Sequence, residues 1–160
     1  MTFTEADFEN CIIELFRDKL GYEYHYGPDI VRDYREPLVE EHLLRCLQAV
    51  NKGLPTSALN EAVYKLKNFE SGSLVQKNSA FMDYLQNGVP VKYFVNGEER
   101  STLVYLMDYK NPDNNSFCVV NQWMFIENAE KRPDVVVFIN GLPLVVIELK
   151  SPSREEINVS

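Results

Sequence analysis

The chain has 160 residues, 45% of them hydrophobic and 25% charged, which is the balance of a folded globular domain and excludes a disordered or low-complexity chain. Its net charge of −8, from 16 lysines and arginines against 24 acids, excludes a protein that grips nucleic acid by a broadly basic surface of its own. The apolar runs are too short to span a bilayer and the acidic N-terminus lacks the parts of a signal peptide, so a cytoplasmic protein with no membrane partner is expected.

Thr4 followed by Asp7 predicts a capping box, and Phe8, Cys11, Ile12, Leu15, Phe16 and Leu20 recur at helical spacing up to a stop at Gly21. That stripe is read as a packing face. Tyr22 to Asp33 mixes aromatic, polar and turn residues and predicts irregular chain or a short strand. Leu38 to Val50 predicts a second helix, closed by Gly53 and Pro55. Ser57 is expected to cap a third helix that runs to about Phe69, and Ser79 to Gln86 gives a weaker fourth one ending near Gly88.

Beyond Gly88 the period changes from helical to alternating. Val91, Tyr93 and Val95 predict a strand, and Asn96-Gly97 a tight turn. Leu103 to Tyr109 and Phe117 to Ile126 read as strands, separated by a turn at Asn111-Pro-Asp-Asn-Asn115. The last two strands, Val135 to Ile139 and Leu144 to Glu148, are continuously apolar, which predicts a central hairpin covered on both faces by helices.

Cys11, Cys46 and Cys118 are widely spaced and form no CxxC pair, and His25 and His42 lie in Tyr-rich and Glu-rich sequence without the spacing of a zinc ligand set. Neither a disulfide framework nor a zinc site is expected, and both histidines are read as structural or surface groups.

The chemistry concentrates at the open end of the last hairpin, where Arg132-Pro-Asp134 leads into one strand and Glu148-Leu-Lys150 leaves the other. A plain two-residue loop at Asn140-Gly141 would set Asp134 opposite Ile147 and turn Glu148 to the far face, because side chains alternate along a strand. A three-residue loop, Ile139-Asn140-Gly141, with a bulge would set Asp134 opposite Val146. Glu148 is then its diagonal neighbour on the same face, about 7–8 Å away at the backbone. This second register is the expected one. Two carboxylates so placed suit Mg²⁺, which prefers oxygen ligands and keeps several waters; the Leu149 carbonyl could add another oxygen. A lysine close by, Lys150, can orient or deprotonate an attacking water and offset charge on a phosphate. The plainer alternative makes Asp134 a turn residue and Glu148 and Lys150 a surface ion pair. Buried strands on either side favour the catalytic reading, since acids at the end of such a hairpin are costly unless a cation offsets them.

The stretch from Arg132 through Asp134, Asn140-Gly141, Glu148 and Lys150 to Ser151-Pro152 resembles the nuclease signature of the R (restriction) subunit of type I restriction endonucleases. Phe8-Glu9 through Leu20-Gly21-Tyr22, Asp108 to Asn115, and Val120-Asn-Gln122 are similar to the family's opening helix and pre-nuclease segment, so the resemblance covers most of the chain. It implies an α/β (α+β) protein of the restriction-endonuclease-like PD-(D/E)xK fold, a central mixed β-sheet flanked by helices, with residues 1–160 forming a single N-terminal endonuclease domain. Asp134 and Glu148 would match the metal-binding acids and Lys150 the catalytic lysine, with Glu9 on the opening helix as a further acid. Lys131, Arg132 and Arg154, which flank the signature, are candidate DNA contacts.

Subunits of this family are longer. They continue into an ATP-driven translocase and assemble with methyltransferase (M) and specificity (S) subunits on double-stranded DNA. No GxxxxGK[ST] loop is present here, so ATP is expected only in a longer parent, and the chain is expected to be the N-terminal part of one. The missing motor would then hold the DNA, and the isolated fragment would cleave poorly. Two other readings stay open: a binding module of the same fold that no longer cleaves, and a repair or mobile-element nuclease of the same superfamily.

Overall fold

Thr4 caps the first helix as its spacing to Asp7 predicts: the Asp7 amide donates to Thr4 Oγ1 at 3.2 Å and the Thr4 amide to Asp7 Oδ2 at 2.8 Å. The structure, a computed structural model, describes residues 4–150. Helix α1 (Glu5–Glu14) runs into a π-helical turn, Leu15–Lys19, and ends at Gly21, whose φ of +73° is the left-handed stop that glycine favours. The remaining elements are β1 (Glu23–Tyr26), α2 (Glu40–Val50), α3 (Thr56–Lys67), α4 (Leu74–Asn87), β2 (Val89–Val95), β3 (Glu98–Val104), β4 (Phe117–Asn121), β5 (Phe125–Glu127), β6 (Ala129–Lys131), β7 (Val135–Ile139) and β8 (Leu142–Ile147). The architecture is mixed α/β. Of the described residues, 4–38 and 117–150 form one compact unit and 39–116 a second.

In the first unit a four-stranded sheet has the order β1-β4-β7-β8, with β1 parallel to β4 and the other pairs antiparallel. Val135 to Phe138 are all buried, so β7 is covered on both faces as a continuously apolar strand must be. β8 is the edge strand instead: Val145 is 47% and Val146 58% exposed, which corrects the expectation of a central, fully covered hairpin. The stripe expected to pack α1 is also corrected. Phe8, Cys11, Leu15 and Leu20 are exposed, while Ile13 is buried and Glu9 and Phe16 half-buried. The packing face is centred on Glu9, Ile13 and Phe16, spaced four and three residues apart, because Glu9 bonds to the end of the sheet. Phe117 to Ile126 is not one strand: β4 stops at Gln122, whose φ is +55°, and β5 pairs with β6 as a separate small hairpin.

The second unit packs α3 between α2 and the β2–β3 hairpin, burying Leu43, Leu47, Leu59, Val63, Val89 and Val104. The strand expected over Leu103 to Tyr109 lies instead at Glu98–Val104. After Val104 the backbone is satisfied by asparagine side chains rather than a partner strand: Asn51 bonds both the Tyr105 amide and carbonyl at 2.8 Å, and Asn115 accepts from the Asp108 amide at 2.8 Å. The fourth helix is longer than its apolar spacing suggests, because Ser73 and Gln76 form a second capping box six residues upstream of the expected start at Ser79. The third starts at Thr56 without a side-chain cap, so Ser57 does not play the part expected of it.

Candidate active site

Asn140 and Gly141 have φ of +51° and +80° and join β7 to β8 as a plain two-residue turn, with Ile139 paired to Leu142 and Phe138 to Pro143. The three-residue loop is therefore corrected. The bulge exists but sits inside β8: Leu144 has no partner, Val137 pairs with Val145, and the pairing continues through Val136–Val146 to Val135–Ile147. The ladder ends at Val135–Ile147, and its register continued by one step would set Asp134 across from Glu148, where the expected arrangement made them diagonal neighbours. Directly opposed residues share a face, and their Cβ atoms lie about 4.5–5.5 Å apart in a regular pair.

One hydrogen bond fixes the exit of the hairpin. The Leu149 amide donates to Asp134 Oδ2 at 2.7 Å, tying the Glu148-Leu149-Lys150 segment to the first acid. Asp134 is half-buried, whereas Glu148 and Lys150 are exposed. Glu148 also lines a cleft of about 390 Å³ with Phe125, Lys131, Arg132, Pro133 and Val146, so two of the three cations expected to touch DNA open onto the acid. Lys131 lies 5.7 Å from the Phe125 ring and 3.6 Å from Glu127, an exposed arrangement of little energetic weight. Arg154, the third cation, lies outside the described residues.

Glu9 reaches the same end of the sheet from α1. Asn121 Nδ2 donates to its Oε1 at 2.6 Å and Gln122 Nε2 to its Oε2 at 2.9 Å. The Gln122 backbone amide in turn donates to the Asp134 carbonyl at 2.9 Å. The sequence marks Val120-Asn-Gln122 only by its resemblance to the pre-nuclease segment and assigns these two amides no role. Their signal is a pair of carboxamide residues directly after the apolar run Phe117–Val120, where the strand would otherwise continue.

Beneath this corner the chain is well anchored. The Trp123 ring packs on Phe138 at 4.9 Å, and the Arg32 guanidinium lies 3.5 Å from its centroid while donating to the carbonyls of Glu36 and Met124. Burial pushes the Arg32 pKa down, and its Nε has no hydrogen-bond partner among the described residues.

The donor set suits Mg²⁺. Asp134 and Glu148 would offer it carboxylate oxygens, and Mg²⁺ needs only one or two carboxylates because it keeps much of its water. Among the described residues no three acidic, histidine or cysteine side chains converge as a finished metal cage. No helix among them is long and apolar enough to cross a membrane.

Residues 2–159 match the family model described as "Type I restriction enzyme R protein N terminus". The chain is 35% identical over 161 residues to the type I restriction enzyme HindI endonuclease subunit of Haemophilus influenzae, covering 94% of this chain and 15% of that protein. It is 32% identical to the putative type I restriction enzyme MjaIXP endonuclease subunit of Methanocaldococcus jannaschii, covering 92% and 15%, and 28% identical to the MjaVIIIP subunit of the same organism, covering 96% and 14%. The chain thus spans about 15% of the length of these relatives.

Proposed function

The chain belongs to the family of type I restriction enzyme R protein N termini, and on that basis we propose that it is the DNA-cleaving module of such an enzyme, built on a PD-(D/E)xK fold. The observation that supports the reading is the bond from the Leu149 amide to Asp134 Oδ2 at the end of a bulged ladder whose register, continued by one step, would set Asp134 opposite Glu148. Asp134 and Glu148 would hold Mg²⁺, with the Leu149 carbonyl and Glu9 as further oxygen donors. The ion when bound supplies a water of lowered pKa and neutralises charge growing on the phosphate. Lys150, one residue past Leu149, would orient the attacking water and offset the charge of the pentacovalent phosphate. Lys131 and Arg132 would hold the DNA backbone beside Glu148 in the cleft.

The substrate is unmodified double-stranded DNA, delivered by an ATP-driven translocase in the longer R subunit and selected by M and S subunits. That division of labour accounts for the acidic balance of −8 in a nuclease: the grip on DNA resides elsewhere. The test uses the assembled full-length enzyme. Asp134→Ala and Lys150→Ala are each expected to lower Mg²⁺-dependent plasmid cleavage about a thousandfold or more while ATP hydrolysis persists. Undiminished cutting by both variants removes the assignment. The same charge favours a second reading, a non-cleaving docking module; an assembled enzyme that translocates but never cuts with any divalent ion would favour it.

A further inference from the structure

We infer that the cleft beside Glu148 seats one unstacked nucleobase against the Phe125 ring, so that the DNA strand entering the site is locally opened rather than held as an intact duplex. The inference rests on the reading of the chain as a DNA-cleaving module. It goes further in naming the form of substrate that the module takes.

The β5–β6 hairpin builds the platform. Phe125 pairs with Lys131, so the ring and the ammonium group share a face, with Lys131 Nζ 5.7 Å from the ring centroid. Ile126 and Glu130 pair on the other face. Arg132 and Pro133 alone separate β6 from Asp134, so the platform is joined to the first acid by a short connection. Two strands of three residues are marginal as an isolated hairpin, and this one is tied down from outside. The Ile126 amide donates to the Tyr34 carbonyl at 2.8 Å. Arg32, lying on the Trp123 ring, donates to the carbonyl of Met124, the residue before Phe125. A stacking platform must hold its ring still, and these bonds do so.

The cleft itself, about 390 Å³, is within the roughly 300–1,000 Å³ of sites that enclose a small molecule. Its walls divide by chemistry: Phe125, Pro133 and Val146 are apolar, and Lys131, Arg132 and Glu148 are charged. Contacts to phosphate alone would need only the cations. The apolar wall needs a ligand with a flat apolar face, which a nucleotide carries beside its phosphate. Val146, 58% exposed, lines the cleft two residues before Glu148, so a base on that wall keeps its own phosphodiester close to the acid. Lys131 lies 3.6 Å from exposed Glu127, a pairing weak enough in water to yield to a phosphate. Bases within a duplex are stacked on one another and show a protein only their edges. The Phe125 ring can therefore meet the face of a base only where the strand is opened. Such stacking tolerates any base, which agrees with a module that leaves target selection to other subunits.

The experiment uses the assembled full-length enzyme with ATP and Mg²⁺, on plasmid DNA in which 5-iodouracil replaces thymine throughout. Ultraviolet coupling of that base to protein favours an aromatic ring stacked on it. With Asp134→Ala present to keep the DNA whole, peptide mass spectrometry is expected to find the base joined to Phe125. Phe125→Leu, which keeps apolar bulk and loses the ring, should abolish that crosslink. Without the Asp134 change it should lower plasmid cleavage about 5- to 100-fold, the size of one lost base–aromatic stack, with ATP hydrolysis unchanged. Phe125→Tyr should retain both crosslink and cleavage. Crosslinks elsewhere in the enzyme with none at Phe125, or full cleavage by Phe125→Leu, overturn the inference; cleavage that still depends on Asp134 then leaves the nuclease reading standing. Should Phe125→Leu fail to fold, the absence of a crosslink at the unaltered Phe125 overturns it equally. Undiminished cutting by Asp134→Ala overturns both.

Discussion

The chain builds two hairpins on the same dipeptide, Asn-Gly, and they diverge within a few residues of their tips. Asn96 and Gly97 have φ of +52° and +84°, Asn140 and Gly141 of +51° and +80°. From the first turn, β2 and β3 pair without interruption from Val95–Glu98 to Val89–Val104. From the second, β7 and β8 start alike, then slip at Leu144. The turn residues fix the register at the tip only; the far end belongs to whatever happens along the strand. Without the slip, Asp134 would face Ile147 and Glu148 the opposite side of the sheet. In the first hairpin the ladder is regular throughout. In the second, the bulge gives the register that the proposed pairing of the two acids needs.

Changing strand length by one residue breaks this comparison most sharply. Removing Leu144 takes out the unpaired residue and leaves Val137–Val145 and every rung beyond it intact, so cleavage by the assembled enzyme should stay within about tenfold of normal. Inserting one valine after Val146 has no bulge to absorb it. It carries Ile147 opposite Asp134, turns Glu148 away, and should lower cleavage about a hundredfold or more. Equal loss from both changes would mean that the register beyond Val137–Val145 does not set the site. In β2–β3, deleting Ser101 should lower the unfolding temperature, since it turns buried Val104 outward and no slack exists.

The two glycines give a smaller contrast. Gly97 is exposed and an added Cβ would meet nothing within 4 Å, so Gly97→Ala should cost only the left-handed backbone penalty of about 1–2 kcal/mol. Gly141 carries the same positive φ but is buried next to Asn140, itself 1% exposed. Gly141→Ala should therefore add an overpacking cost of about 1–3 kcal/mol to that penalty. Denaturant titration of the two variants measures the difference. Equal losses would show that the second turn is no more tightly packed than the first.

The legible parts of the fold are those with a local cause. The Thr4–Asp7 box, the Gly21 stop, both Asn-Gly turns and the apolar strand at β7 are each dictated by residues within a few positions of one another. What was hidden depends on partners far along the chain. Leu144 looks like every other apolar residue of its run, and only pairing with β7 makes it the odd one out. The exposure of β8 follows from its edge position, which no property of Leu142–Ile147 announces. The inward turn of Glu9 is set by amides 112 and 113 residues away. The bulge was expected in the turn and lies in β8, which changes the offset of the ladder by two and leaves its side-chain parity as expected up to Val135–Ile147, where the pairing ends.

The exits of the two hairpins offer the finest test, because an aspartate stitches each. Asp108, following β3, accepts from the Lys110 and Asn111 amides at 3.1 and 2.9 Å and from Asn114 Nδ2 at 2.8 Å. Asp134 accepts at Oδ2 from Leu149. The Asn114 side chain first, then the Asn111 amide, hold the Asp108 pKa below its ordinary 3.8. A carboxylate lowered on folding adds stability above its unfolded pKa and loses it as the pH falls through the folded one. Asn114→Ala should thus leave a small stability deficit near neutral pH that closes as the pH drops below about 3.8, followed by urea midpoints across the acid range. Mn²⁺ should not alter that deficit, because Asp108 is occupied by its own loop. A deficit that widened on acidification, or that Mn²⁺ abolished, would erase the distinction between an aspartate used up in holding a turn and one kept available for a metal ion.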